Sequence, residues 1–415
     1  MAPLAAEYKY PIQQILASSF ETYRDSHFLT DEQLKAAYCI IDCKTGRLGT
    51  NFYECEKCGH IRMVPRSCGN RNCPNCQAVE KSIWLEQRKA EVIDAPYFHI
   101  VGTLPHELNS LLAANKKILY ELLHKSMGST LTSLALDRKY LGAAPGIIQV
   151  LHTWDQKLLY HVHVHCVVSG GGLTPEKKLV TLKKDSPFFI PVKVISAVYR
   201  GKFMEGLRKH YSSGKLTLPD RLTKLRNSYE WQEFIRHLYS IEWNVYIKET
   251  FNGNGNAIKY LSSYTNRIAI SNSRIISYDK KDVTFSYLDR KDGSKRKELT
   301  ISTQKFIHRF MQHVLPKGFQ KIRYYGYLNN STRKENLKRI FEQQGGQKYT
   351  PAFEKTTPFE EVAFKAWGIN LKKCPCCGNE SMIFITTSME ITEKLTNKKC
   401  FPGAKMRYHS RARPK

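Results

Sequence analysis

The 415-residue chain carries 65 lysines and arginines against 37 aspartates and glutamates, a formal net charge of +28 with histidine neutral. That excess excludes a small-molecule enzyme without a charged partner and points to a polyanion, nucleic acid first. Hydrophobic residues at 41% and aromatics at 11% supply a sizeable core and exclude wholesale disorder. No stretch approaches 18 uninterrupted apolar residues, and MAPLAAEYKYPI has no apolar signal region, so a soluble, cytoplasmic protein without a membrane partner is expected.

Residues 1–48 read as a helical amino-terminal segment of two short helices ending in DEQLKAAYCIIDC. Residues 49–90 are dense in Cys, Gly, Asn and Arg and too poor in aliphatic residues to build a core, so a metal must supply the centre of a zinc-binding module. Cys55-Glu-Lys-Cys58 and Cys73-Pro-Asn-Cys76 are two CxxC pairs, and Cys55, Cys58, Cys73 and Cys76 are the expected ligands of one closed, structural Zn2+. His60 and Cys68 stand beside them as substitutes within the quartet or as ligands of a second ion. Gly59 follows the first pair where a tight knuckle favours positive φ. Arg62, Arg66, Arg71 and Lys81 give the module a basic rim suited to phosphate.

From Pro96 the pattern changes. YFHIVGTLP reads as a buried strand, ELNSLLAANKKILYELLHKSM as a helix, and GIIQVLHTWD with LYHVHVHCVVSG as two strands of a hairpin. A basic helical insertion occupies about 195–240, and Trp243–Lys248 is a strand. GNGN reads as a turn or helix start before the helix AIKYLSSYTNRIA, and residues 274–302 as an antiparallel meander with an Asp-Gly turn. TQKFIHRFMQHVLPKGF is a helix ended by Pro316. Residues 91–340 thus read as one α+β domain, since no regular βαβ repeat is present. Residues 341–415 are expected to be a basic carboxy-terminal appendage; its Cys374-Pro-Cys-Cys377-Gly resembles half of another ribbon, with Cys400 and His409 the later candidates to complete it.

Chemistry concentrates in two places. The strand period of two puts His161, His163 and His165 on one face while Val162, Val164 and Cys166 point to the core. Alternate imidazoles make half of a divalent-metal site. If the hairpin turn centres near 157–158, His152 lies opposite His163 and is the first candidate for third ligand; a one-residue shift brings Gln149 or Trp154 instead. Tyr260 and Tyr264 stand at i and i+4, one helical turn apart. A phenol can attack a DNA phosphodiester and hold the 5′ phosphate, conserving the bond energy without ATP, in keeping with the lack of a GxxxxGK[ST] match. Lys259 and Arg267 flank the pair and could neutralise phosphate.

These motifs resemble the HUH endonuclease superfamily, and in particular its two-tyrosine insertion-sequence transposases. The collinear segments are CxxCGH with CGNRNCPNC at 55–76, PYFHIVGTLPHELN, LHTWDQ with HVHVHCVVSGGG, KYLSSYTNRIAISNSR and HRFMQHVLPKGFQKIRYYG. The resemblance implies a catalytic metal pair at His163 and His165, nucleophiles at Tyr260 and Tyr264, and, over residues 91–340, a central antiparallel sheet with helices packed against one face and the histidine strand at its centre. It further implies Mg2+ or Mn2+ at the catalytic site, structural Zn2+, and single-stranded DNA at insertion-sequence ends and target DNA as partners, with the protein nucleoid-associated through DNA. A monomer is compatible with this chemistry. Relatives often carry proline at Val162 and histidine at Asn266, and neither change removes a nucleophile or a member of the metal pair. A plasmid or phage rolling-circle replication initiator, or a non-catalytic zinc-containing DNA-binding protein, are the alternatives.

Overall fold

The computed structural model describes residues 11–183, 186–248, 268–289, 292–346, 348–354 and 356–388. They divide into two units, one drawn from 1–87 and 351–415 and the other from 88–350.

In the first unit, α1 (Pro11–Asp25) buries Ile12, Ile15, Leu16, Phe20 and Tyr23, and α2 (Asp31–Asp42) buries Ala36, Ala37 and Ile40. A capping box joins Thr30 and Gln33 at the start of α2. At its other end the buried Gln13 amide donates to the Ile41 and Cys43 carbonyls at 2.7 and 2.9 Å, satisfying groups the helix leaves unpaired. Strands β1 (Thr50–Cys55) and β2 (Ile61–Pro65) form a hairpin, and α3 (Gln77–Lys89) follows the second CxxC pair. Strand Met382–Ser388, from the expected carboxy-terminal appendage, pairs antiparallel with β1, making a three-stranded sheet in which β1 is central.

The second unit is built on β3 (Tyr97–Thr103), β4 (Ala144–Trp154) and β5 (Tyr160–Leu173), with β5 between the other two. Val245–Lys248 adds to β3, Ile322–Tyr325 to β4 and Leu179–Thr181 to β5, every pairing antiparallel. The short helix α4 (Asn109–Ala114) leads into α5 (Lys116–Leu136), which covers the face bearing Val162, Val164 and Cys166. The segment expected as a basic insertion contributes to the same core: α6 (Val192–Ser212) buries Ile195, Tyr199, Phe203, Met204 and Leu207 beside α5. Gly128 lets α5 approach the strand Ile322–Tyr325, since a Cβ there would sit 2.6 Å from the Tyr325 ring. A separate meander, Ile275–Tyr278, Asp282–Asp289 and Lys295–Ser302, precedes the helix Thr303–Met311. Among the described residues no helix is long and apolar enough to cross a membrane.

Two fully buried histidines set an acid limit on this fold. Burial holds His124 and His313 neutral, pushing each down to about 3. An unfolded histidine titrates at about pH 6.5, so between there and about pH 3 the unfolded chain binds more protons. Their contribution is fully present above about pH 6.5 and is lost as pH falls, by about 2 kcal/mol per histidine at about pH 5. Urea unfolding at a series of pH values should show this decline, and His124→Gln should remove about half of it.

Candidate functional site

The histidine face is built by register. His152 pairs directly with His163 across the β4–β5 hairpin, and one ring nitrogen from each of His152, His163 and His165 falls within 4.8 Å of the others. Gln149 is on the other face of β4, opposite Cys166, with its side chain 2.9 Å from His124 on α5. Asp155 shapes the turn, its Oδ1 accepting from the N–H groups of Lys157 and Leu159 at 2.8 and 2.7 Å. His161 lies at the exposed end of the strand and outside the cluster. Trp154 stacks on His152 with ring centroids 4.7 Å apart.

Each imidazole is held by a second contact. His163 Nδ1 lies 2.9 Å from the His161 carbonyl, and Nε2 of His163 is 3.1 Å from Nε2 of His165. Nitrogens about 2.1 Å from one divalent ion and at right angles lie about 3 Å apart, so the pair fits adjacent positions around a metal. On the far side of His165, Nδ1 hydrogen-bonds with Nε2 of His99 at 2.9 Å, the rings nearly parallel. Sequence reasoning missed His99 because a lone histidine in YFHIVGT looks like core; the signal was its place on a strand that could pair with β5. It serves as an orienting partner that fixes which nitrogen of His165 faces the cluster. His99→Ala is expected to weaken Mn2+ binding about 10–100-fold with single-strand DNA affinity unchanged, as calorimetric titration of each would show.

Tyr260 and Tyr264, with Lys259 and Arg267, lie outside the described residues.

The cysteines are brought together differently from the single quartet expected. Cys55 and Cys58 group with Cys374 and Cys377, whereas Cys73 and Cys76 group with Cys43 and Cys68. The set Cys55, Cys58, Cys73 and Cys76 is therefore divided between two clusters, because the β1–β2 hairpin directs its knuckle toward the carboxy-terminal strand. Cys43 enters as the C-cap of α2, a position that helical patterning alone gave no reason to assign to a metal. In this quartet Cys43 and Cys68 each approach Cys76 to 3.6 and 3.7 Å. Four sulfurs about 2.3 Å from one zinc are about 3.8 Å apart, far longer than a disulfide of about 2.05 Å. The donor chemistry and spacing fit a structural Zn2+. His60 belongs to neither cluster.

Residues 146–336 match the family described as "Putative transposase", and residues 15–104 the family described as "Transposase zinc-binding domain". The chain is similar to "Putative transposase y4qJ" of Sinorhizobium fredii (strain NBRC 101917 / NGR234), with 38% identity over 372 residues covering 88% of this chain and 92% of the relative. The chain belongs to the HUH-superfamily transposases with an amino-terminal zinc-binding domain. A second relative of this transposase is the "Transposase for insertion sequence element IS801" of Pseudomonas savastanoi pv. phaseolicola, 26% identical over 389 residues, or 92% of this chain and 90% of the relative. No solved structure matches the transposase. Family membership and the histidine cluster together make it a catalytic nuclease of the transposase type.

Proposed function

We propose that this transposase nicks and rejoins single-stranded DNA at the ends of an insertion sequence through 5′-phosphotyrosine intermediates on Tyr260 and Tyr264, in a rolling-circle-like transfer. The observation that carries the reading is the convergence of His152, His163 and His165 on one face of the central sheet. The relative named for IS801 supports an insertion sequence as the substrate. The three imidazoles would hold Mg2+ or Mn2+, and a set of neutral nitrogens suits Mn2+ better than the oxygen-preferring Mg2+. Bound there, a divalent ion supplies charge neutralisation at the phosphoryl oxygens.

The remaining work falls to the chain. In the first step the phenol oxygen of one tyrosine bonds to phosphorus, the bond from phosphorus to the 3′ oxygen breaks, and the phenolic proton ends on that oxygen. Reversal with a different 3′ hydroxyl rejoins strands and frees the tyrosine. Trp154 offers an aromatic face beside His152, with the Lys321 ammonium 5.2 Å from its ring centre, a pairing suited to a base and its phosphate. The cationic excess supplies affinity that does not depend on sequence.

Incubation with end-labelled single strands, followed by a denaturing gel, tests the proposal. A protein-linked 5′ end should form on single strands and far less on the same sequence as relaxed duplex. Binding should weaken with salt by about 0.7 in log–log slope per phosphate contacted. Equal cleavage of both substrates without a protein-linked product would contradict it.

A further inference from the structure

The zinc-binding region matched by the family, residues 15–104, contains a complete set of four thiols without Cys55 and Cys58, namely Cys43, Cys68, Cys73 and Cys76. The two left over meet a pair that lies well beyond the matched region. Cys55 Sγ is 3.6 Å from Cys377 Sγ, and Cys58 Sγ is 3.7 Å from Cys374 Sγ. These are separations that sulfurs sharing one zinc adopt.

The backbone on either side is built alike. Cys55-Glu-Lys-Cys58-Gly59 and Cys374-Pro-Cys-Cys377-Gly378 have the same pattern, and both glycines take positive φ, 66° and 74°. In each, the first cysteine's N–H bonds to the residue after the glycine, Cys55 to the His60 carbonyl at 2.9 Å and Cys374 to the Asn379 carbonyl at 2.7 Å. Each glycine N–H returns to the first cysteine's carbonyl, at 2.8 Å from Gly59 and 3.0 Å from Gly378. Cys73–Cys76 lacks this form: Gln77 follows it and begins α3. Sulfur acceptors are also supplied with donors, the Cys376 N–H reaching Cys374 and the Asn379 amide reaching Cys377, both at 3.4 Å. Ser381 Oγ lies 3.0 Å from Cys55 Sγ.

We infer that Cys55, Cys58, Cys374 and Cys377 hold a second zinc ion, a ribbon site assembled from two distant knuckles that fastens the carboxy-terminal strand to the amino-terminal hairpin. Its purpose follows from composition. Ile61, Met63, Ile383 and Ile385 are exposed on the strands flanking β1, so apolar burial contributes little and the metal supplies the cohesion. Cys58 and Cys377 are exposed, whereas three of the other four thiols are buried and the fourth is half-buried, so this ion should be the first to leave.

The test is zinc content of the full chain by elemental analysis and native mass spectrometry. The wild type should carry two zinc ions; the Cys55→Ser/Cys58→Ser variant and the Cys374→Ser/Cys377→Ser variant should each carry one. Combining all four substitutions should still leave one. A wild type with one zinc, a Cys374→Ser/Cys377→Ser variant with two, or a combined variant with none would overturn the inference. Should the variants fail to fold, alkylation of the wild type during chelator titration decides. Cys55, Cys58, Cys374 and Cys377 should become labelled together and before Cys73 and Cys76. Labelling of Cys55 and Cys58 in step with Cys73 and Cys76, with Cys374 and Cys377 reactive throughout, would overturn it.

Discussion

His163→Ala or His165→Ala is expected to abolish metal-dependent strand cleavage, lowering its rate by at least about 1,000-fold, while single-strand binding falls less than about threefold. The two effects separate because they have different sources. Affinity comes from a net charge of +28 spread over the chain, and one imidazole contributes nothing to it when neutral. On the proposed mechanism cleavage depends on two nitrogens 3.1 Å apart, and removing either would leave a site that cannot hold an ion in register with the phosphate. His152→Ala should have a smaller effect, since it leaves that pair in place. Single-turnover cleavage and filter binding on the same preparations check all three. Cleavage by either alanine variant at the wild-type rate would remove the histidine cluster from the chemistry.

Replacing both Tyr260 and Tyr264 with phenylalanine is expected to eliminate covalent adduct altogether, with no loss of metal or DNA affinity. Phenylalanine keeps the ring and removes only the attacking oxygen, so the variant tests chemistry and not packing. Either single variant should retain some first-strand nicking through the remaining phenol, because the two tyrosines stand four positions apart in sequence, a spacing that the expected helix would bring to one face. Complete strand transfer should fall sharply in both, since two 5′ ends can no longer be managed in turn. Full transfer surviving one of the single substitutions would reduce the scheme to one tyrosine.

Much of the histidine cluster was legible because it is local. Alternation in HVHVHC assigns faces, and of the registers the short turn leaves open the structure takes the one that pairs His152 with His163. His99 was not legible, because its role depends on β3 pairing with β5 across 66 residues of chain. The cysteines show the same limit more strongly. Spacing joins neighbours, and it joined Cys55 and Cys58 to Cys73 and Cys76. The partners instead come from 316 and 322 residues away. One signal was present: a glycine follows the CxxC at 55 and at 374 but not the one at 73. Cys43 was hidden by its helix, whose end, not its apolar face, carries the thiol.

The most direct measurement is the chemical fate of the cleaved 5′ end. Wild-type enzyme, incubated with single-stranded insertion-sequence ends and Mn2+, digested and mapped by mass spectrometry, should yield nucleotide-bearing peptides modified at Tyr260 and at Tyr264, with a free 3′ hydroxyl on the released strand and no adduct from His163→Ala. Cleavage that leaves a free 5′ phosphate, with neither tyrosine modified, would instead make this a hydrolytic metallonuclease and contradict the account.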